Sequence, residues 1–205
     1  AVKAGFENLK KHVENARHFG VPVVVAINVF DADTEKEKKV LEELLKENNI
    51  RYAYSESWAK GSNGSEDLAK LIVKTIDEEP SNPITLYNLE ESIEDKICTV
   101  SRTIYGAKAF VFSKLAKTQL EKINKMGLGK LPVCIAKTQK SLSDDEKLLG
   151  RPKNFLITVR EIEIAAGAGF IVPITGDIMR MPGLPKEAAY KSITINDEGE
   201  IEGLF

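Results

Sequence analysis

The sequence predicts an α/β protein: mostly parallel sheets flanked by helices, arranged as two α/β units, with a C-terminal section rich in strands and loops. Three observations carry this expectation. Short apolar runs rich in β-branched residues, VPVVVAINVF (21–30) and LPVCIAK (131–137), read as strands buried on both faces. Amphipathic segments with helical spacing alternate with such runs. The resulting order over the first 80 residues, helix–strand–helix–strand–helix, calls for right-handed parallel crossovers. The connector EEPSNPITLYN (78–88) carries two prolines and separates units of 1–80 and 81–205.

Each element has its own signal. Residues 7–19 put Leu9, Val13 and Ala16 on one helical face, and Gly20 stops the helix. After the first strand, Thr34 with Glu37 three residues later forms a capping box for a helix carrying Val40, Leu41, Leu44 and Leu45. IRYAYSES (50–57) alternates as a second strand, SWAKGSNG (57–64) reads as a loop, and Gly64 or Ser65 opens a helix bearing Leu68, Leu71, Ile72 and Ile76. Residues 88–106 form the clearest helix, with Leu89, Ile93, Ile97, Val100 and Ile104 in register and Gly106 as its end. A strand (107–113), a helix with Leu115, Leu120 and Ile123, and the strand 131–137 follow. KTQKSLSDDEKLLGRP (137–152) predicts a short helix capped by Ser143 and Glu146 and ended by Gly150 and Pro152. Residues 155–164 and 170–174 read as strands around AAGAG, 175–190 as a loop, and the chain closes in a hairpin turning at 197–199.

Composition narrows the function classes. With 205 residues and 42% hydrophobic content the chain has an ordinary globular profile and buries a sizeable core. Its 29 basic against 31 acidic residues leave no basic excess for nucleic acid. The longest apolar run, 21–29, is interrupted by Pro22 and Asn28 and falls short of the roughly 20 residues of a membrane helix. Cys98 and Cys134 are too far apart for a CxxC metal pair or a disulfide framework, so a reducing compartment is the default and cytoplasm the expected location. The amphipathic start AVKAGFENLKKH has no apolar signal segment and no initiator Met, as expected of a piece of something longer.

Strong chemical motifs are missing: no GxxxxGK[ST], HExxH, GxSxG or CxxC occurs. His12 and His18 are six apart, off a shared helical face, and read as surface residues. AAGAG lies between two strands, whereas a dinucleotide loop opens a helix, so its glycines read as a turn or bulge. Asp144, Asp145 and Glu146 suit the first turn of a short helix and form no metal cluster. Three places remain. Asn28, Phe30 and Asp31 emerge at the carboxyl end of the first strand, where open parallel sheets bind ligands. Trp58, the sole Trp, and Lys60 follow the next strand, ahead of a helix N-terminus that favours an anion. A Phe and a Trp on adjacent strand ends either sandwich a flat heterocycle or cap the core. The third place is the pair of loops GRPKN (150–154) and TGDIMRMPGLP (175–185), where Asp177 either serves a ligand or caps the turn after Gly176. The residues alone reach an α/β domain with a ligand cleft at its strand ends, and no reaction.

These residues also carry a resemblance. AINVFDADTEKE, SESWAKGSNG, LPVCIAKTQKSLSDDEKLLGRP, VREIEIAAGAGFIVPITGDIMRMPGLPK and GEIEGLF, in this order, resemble the C-terminal part of formate–tetrahydrofolate ligases. The resemblance implies an ATP-dependent ligase of one-carbon metabolism that phosphorylates formate and passes the formyl group to tetrahydrofolate. It implies Mg2+ with the nucleotide, activation by a monovalent cation, and a homo-oligomeric parent. By resemblance, Phe30 and Trp58 sandwich the pterin, with Asp31 and Lys60 beside them. Asp31 stands where the family commonly has proline, which bears on one apolar contact to the folate. Arg151, Pro152 and Lys153 are implied near the nucleotide; Arg151 alternatively pairs with the acidic 144–146 run. The family's P-loop lies upstream of everything in this sequence, so the resemblance implies a chain that binds folate weakly and does not turn over alone. Two other readings are a non-catalytic folate- or nucleotide-binding or assembly module of the same fold, and an unrelated nucleotide-binding α/β domain.

Overall fold

The computed structural model describes residues 1–176, 178 and 186–203. The first apolar run condenses into β1 (Val24–Asn28), which pairs in parallel with β2 (Arg51–Ser55), from Val24↔Arg51 to Asn28↔Ser55. Two helices, α1 (Val2–His18) and α2 (Glu35–Glu47), bracket β1 in the chain, and the capping box of Thr34 and Glu37 opens α2 as expected. Strand alternation sends Val25, Ile27, Tyr52 and Tyr54 to one face. There they pack with Phe6 and Val13 of α1 and Leu45 of α2. Burying each such aliphatic side chain stabilises the fold by roughly 1.5–3 kcal/mol. The Tyr54 hydroxyl donates to Glu42 (2.8 Å), and burial with that carboxylate pushes its pKa up to about 12. On the other face lies α4 (Glu66–Glu78), tied to β2 by Arg51, which reaches Glu78 at 2.9 Å and Glu79 at 2.6 Å.

The second sheet has the order β3 (Ala109–Phe112), β4 (Leu156–Ala165), β5 (Phe170–Thr175), with β3 parallel and β5 antiparallel to β4. Against it pack α5 (Ile93–Val100) and α6 (Lys114–Lys125), whose Ile93, Ile97, Ala116, Leu120 and Ile123 join Val159, Ile162 and Ile171 in one buried cluster. AAGAG is the β4–β5 turn, where the Ala165 carbonyl accepts from Ala168 and Gly169. A short antiparallel hairpin, β6 (Thr194–Ile195) and β7 (Ile201–Glu202), closes the described chain as the sequence predicts.

Four expectations need correction. The helix expected over 88–106 starts only at Ile93. Asn88 and Glu91 fold the preceding residues into a turn, and Ser92 caps the helix by accepting from the Asp95 N–H. Leu89, in helical register by spacing, is half-exposed. The same segment ends in a π-helical turn, Ser101–Tyr105, closed by Gly106 at φ 77°, a left-handed conformation that suits glycine. The loop expected over 57–64 is instead α3 (Ser57–Lys60) and a 3₁₀ turn, Gly61–Ser65. Residues 131–137 form no full strand; they touch β5 at two parallel bridges, Val133↔Ile171 and Ala136↔Ile174. The outward N–H and C=O of Val133 are both met by the Tyr87 hydroxyl, at 3.0 and 3.3 Å, which occupies the edge a further strand would use.

The fourth correction is the short helix expected within 137–152. No helix forms there, because the Ser143 hydroxyl binds the N–H and C=O of Asp145 in a local turn, and Glu146 pairs with Lys140 instead of capping. The 144–146 carboxylates therefore face no helix dipole. Asp144 accepts from the Thr158 N–H of β4 at 2.8 Å.

Long-range polar ties join α1 to the second sheet's elements. Lys11 Nζ donates to the Thr103 carbonyl at 2.6 Å and Asn15 Nδ2 to the Ile104 carbonyl at 2.9 Å. Both carbonyls belong to the last turn of a helical segment and lack partners within it. Burial pushes the Lys11 pKa down against the pull of Glu14; the negative end of that helical segment supplies further compensation.

Candidate functional site

Two places collect the residues singled out in the sequence. The first is the carboxyl end of the β1–β2 pair. Phe30 follows β1 and Trp58 lies in α3 just beyond β2, with 56% and 79% of their surfaces exposed, so neither caps the core. Their loops have firm backbones. The Val29 N–H donates to the Ser55 carbonyl (3.0 Å), extending the strand pairing to the residue before Phe30. The Phe30 N–H donates to the Asp33 carboxylate (2.8 Å), and the Asp33 N–H returns to the Phe30 carbonyl (2.9 Å).

Beyond β2, the buried Ser55 hydroxyl lies 3.2 Å from that of Ser57 and 3.3 Å from that of Ser65. The Glu56 N–H donates to the Gly64 carbonyl (2.8 Å). A Cβ on Gly64 would stand 2.5 Å from the Glu56 backbone, so the loop closes only with glycine there. Lys60 pairs with Glu56 at 2.7 Å on the exposed surface, and Asp31 is exposed in the turn after Phe30. The structure thus brings Phe30, Asp31, Trp58 and Lys60 to one end of one sheet.

The second place is a cavity of about 450 Å3 between α1 and residues 137–150. Asn8, His12, Asn15, Tyr105, Lys137, Lys140 and Ser141 are among its lining residues, and no carboxylate among the described residues lines it. Lys137 donates to the carbonyls of Thr138 (2.7 Å) and Ser141, and its ammonium lies 5.3 Å from the centre of the Tyr105 ring. Burial pushes its pKa down, against the opposing pull of Asp144. Asn15 Oδ1 is buried without a hydrogen-bond partner among the described residues.

Arg151 sits behind this wall. It forms a two-pronged pair with Glu14 of α1 (2.6 and 3.0 Å) and reaches Glu7 at 3.6 Å, so its partner is α1 and not the 144–146 run. Burial works to raise the Glu14 pKa, yet the Arg151 hydrogen bond and charge hold it below the usual value. Pro152 is half-buried and Lys153 exposed; of the 150–154 segment it is Gly150 that lines the cavity. Phe30 and Trp58 are not brought to this cavity.

Sequence reasoning passed over Asp33, Ser55 and Gly64. The Phe-x-x-Asp spacing and the serines flanking Trp58 were their only signal. It also passed over Asn8 and Asn15, because a cavity built from α1 and residues some 90–140 positions later has no local signature. Asp177 lies outside the described residues, as do 179–185 and 204–205. No helix among the described residues is long and apolar enough to cross a membrane. The family model described as formate–tetrahydrofolate ligase matches residues 1–205, the full length of this sequence. The chain therefore belongs to the formate–tetrahydrofolate ligase family.

Proposed function

We propose that this chain supplies the pterin-binding side of a ligation that runs through formyl phosphate. In that reaction formate attacks the γ-phosphorus of ATP, and ADP leaves. N10 of tetrahydrofolate then attacks the formyl carbon, releasing phosphate and a proton and giving 10-formyltetrahydrofolate. The observation that carries the reading is the exposed pair Phe30 and Trp58 at the carboxyl ends of two paired parallel strands, in a chain of this family. Two exposed aromatic rings on neighbouring strand-end loops suit a flat bicyclic ring. Each stacked contact contributes about 0.5–1.5 kcal/mol beyond the area it buries. Fixing the pterin holds N10 where an acyl phosphate arrives, which is the positioning part of catalysis. Asp31 and Lys60 stand as polar flanks of the ring site.

On the nucleotide side we assign Arg151, Pro152 and Lys153 to the neighbourhood of ATP. The cavity lined by Lys137, Lys140 and His12, with two lysines and no carboxylate among its described lining residues, suits a phosphate-bearing ligand. Arg151 acts there through α1, holding Glu14 in place. Among the described residues no three His, Cys, Asp or Glu side chains converge, so they do not form a set that would hold Mg2+. The metal, when it accompanies the nucleotide, neutralises phosphate charge.

The sequence has no GxxxxGK[ST] to cradle the transferred phosphate. The resemblance to the family supports a chain that works in the cytoplasm beside a P-loop-bearing portion of the same protein, within a homo-oligomer, and is inactive by itself. Residues 1–80 form its folate-binding unit and 81–205 its second unit. Titration of the chain with tetrahydrofolate tests the reading. Trp58, the sole Trp, is expected to be quenched, with Phe30→Ala weakening the effect. Unchanged emission at saturating folate refutes the sandwich, and ATP- and formate-dependent product formation by this chain alone refutes its inactivity.

A further inference from the structure

We propose that Ser55 and Asp33 are positioning residues that hold Phe30 and Trp58 in a binding-ready arrangement before any ligand arrives. The inference rests on the sandwich reading above and adds what keeps the sandwich open. Both aromatic rings stand in solvent, so no core packing fixes them. Their arrangement is left to the backbone beneath, and one residue reaches both loops. The Ser55 carbonyl accepts from Val29, next to Phe30, while its hydroxyl lies within hydrogen-bond reach of Ser57, next to Trp58, and of Ser65, where the Trp58 loop ends.

With only 7% of its surface exposed, Ser55 acts through its neighbours and not by touching a ligand. A serine hydroxyl has one proton to give and two lone pairs, enough to serve both partners. Gly64 completes the brace, because its carbonyl holds the Glu56 N–H at a separation that no side chain permits. On the Phe30 side the brace is Asp33, whose carboxylate and N–H both bind Phe30's backbone. An aromatic pair fixed in advance avoids the ordering cost that mobile loops incur on binding.

The test uses the whole chain, tetrahydrofolate as probe and Trp58 emission as readout. Asp33→Ala and Ser55→Ala are each expected to weaken binding about five-fold, the equivalent of one lost hydrogen bond. Asp33→Asn keeps an acceptor oxygen and is expected to stay within about two-fold of the unchanged chain. In the ligand-free chain Ser55→Ala lowers the Trp58 fluorescence anisotropy, whereas Asp33→Ala, acting on the other loop, leaves it as it was. Ser65→Ala, on the same hydroxyl cluster, repeats the anisotropy loss and serves if the buried Ser55 variant fails to fold. Binding by Asp33→Ala and Ser55→Ala within about two-fold of the original overturns the proposal. So does Asp33→Asn behaving like Asp33→Ala, which assigns the effect to charge. Absence of quenching in the unchanged chain overturns the sandwich reading itself. Unaltered ligand-free anisotropy in both serine variants overturns the brace alone.

Discussion

The loops that carry Phe30 and Trp58 are shaped by near neighbours: Asp33, Ser57, Gly64 and Ser65, with Ser55 and Val29 joined across one strand pair. The cavity beside α1 is closed by partners 89 to 142 positions apart, Asn15 with Ile104 and Asn8 with Gly150. The first place needs only β1, β2 and their loops in order. The second exists only once α1 has docked, so its geometry bears the closure entropy of a long stretch of chain. The proposed ring site thus sits on a local scaffold, and the cavity proposed for a phosphate-bearing ligand on a long-range one.

Four perturbations would break or sharpen this contrast. Leu45→Ala, at a fully buried position under the β1–β2 sheet, is expected to cost about 2–5 kcal/mol and to loosen both places together, as read by thermal unfolding. Lys11→Met bares the Thr103 carbonyl and should cost about 1–3 kcal/mol. It should leave the emission of Trp58 in the folded chain unchanged, because the strand-end site does not use α1's polar contacts. Trp58→Ala, on the exposed ring, should change stability by less than about 0.5 kcal/mol while weakening folate binding about ten-fold by calorimetry.

The smallest effect is expected from pH. The Glu14 carboxyl is held below its ordinary 4.5 by Arg151, against burial. A depressed carboxyl contributes stability above its unfolded pKa and loses it as pH falls through the folded value. The melting temperature should therefore drop between about pH 5 and 3 less steeply in Glu14→Gln than in the original chain. Equal slopes would show that the Arg151 pair contributes nothing to docking α1.

The parts legible in the sequence are those decided by near neighbours. The Thr34–Glu37 box, the β-branched run that forms β1, the AAGAG turn and the placing of Phe30 and Trp58 at the strand ends follow from short windows, which leave open whether those rings cap the core. Helical spacing misled at Leu89, because periodicity does not register that Asn88 and Ser92 bind the backbone and restart the helix at Ile93. The Ser143–Glu146 spacing misled in the same way, since a serine that caps a helix also closes a turn. For Arg151 the sequence leaves open a place near the nucleotide or a pairing with the acidic 144–146 run, whereas the carboxylate it binds is Glu14 of α1, 137 positions upstream. Partner choice over that distance is a property of packing, which a one-dimensional pattern does not contain.

The docking of α1 onto the π-helical turn has a mechanical consequence. A helix seated through aliphatic contacts alone tolerates small slides, because one methyl replaces another. Here Lys11 and Asn15, one turn apart, meet two consecutive carbonyls, so the seat is keyed. A one-residue insertion or deletion between Lys11 and Asn15 rotates one donor about 100° relative to the other, and both cannot engage together. A change of length before Lys11 leaves the key intact. The first helix thus acts as an indexed part: it enters the fold in one register, and the cavity wall built on Asn8, His12 and Asn15 inherits that register.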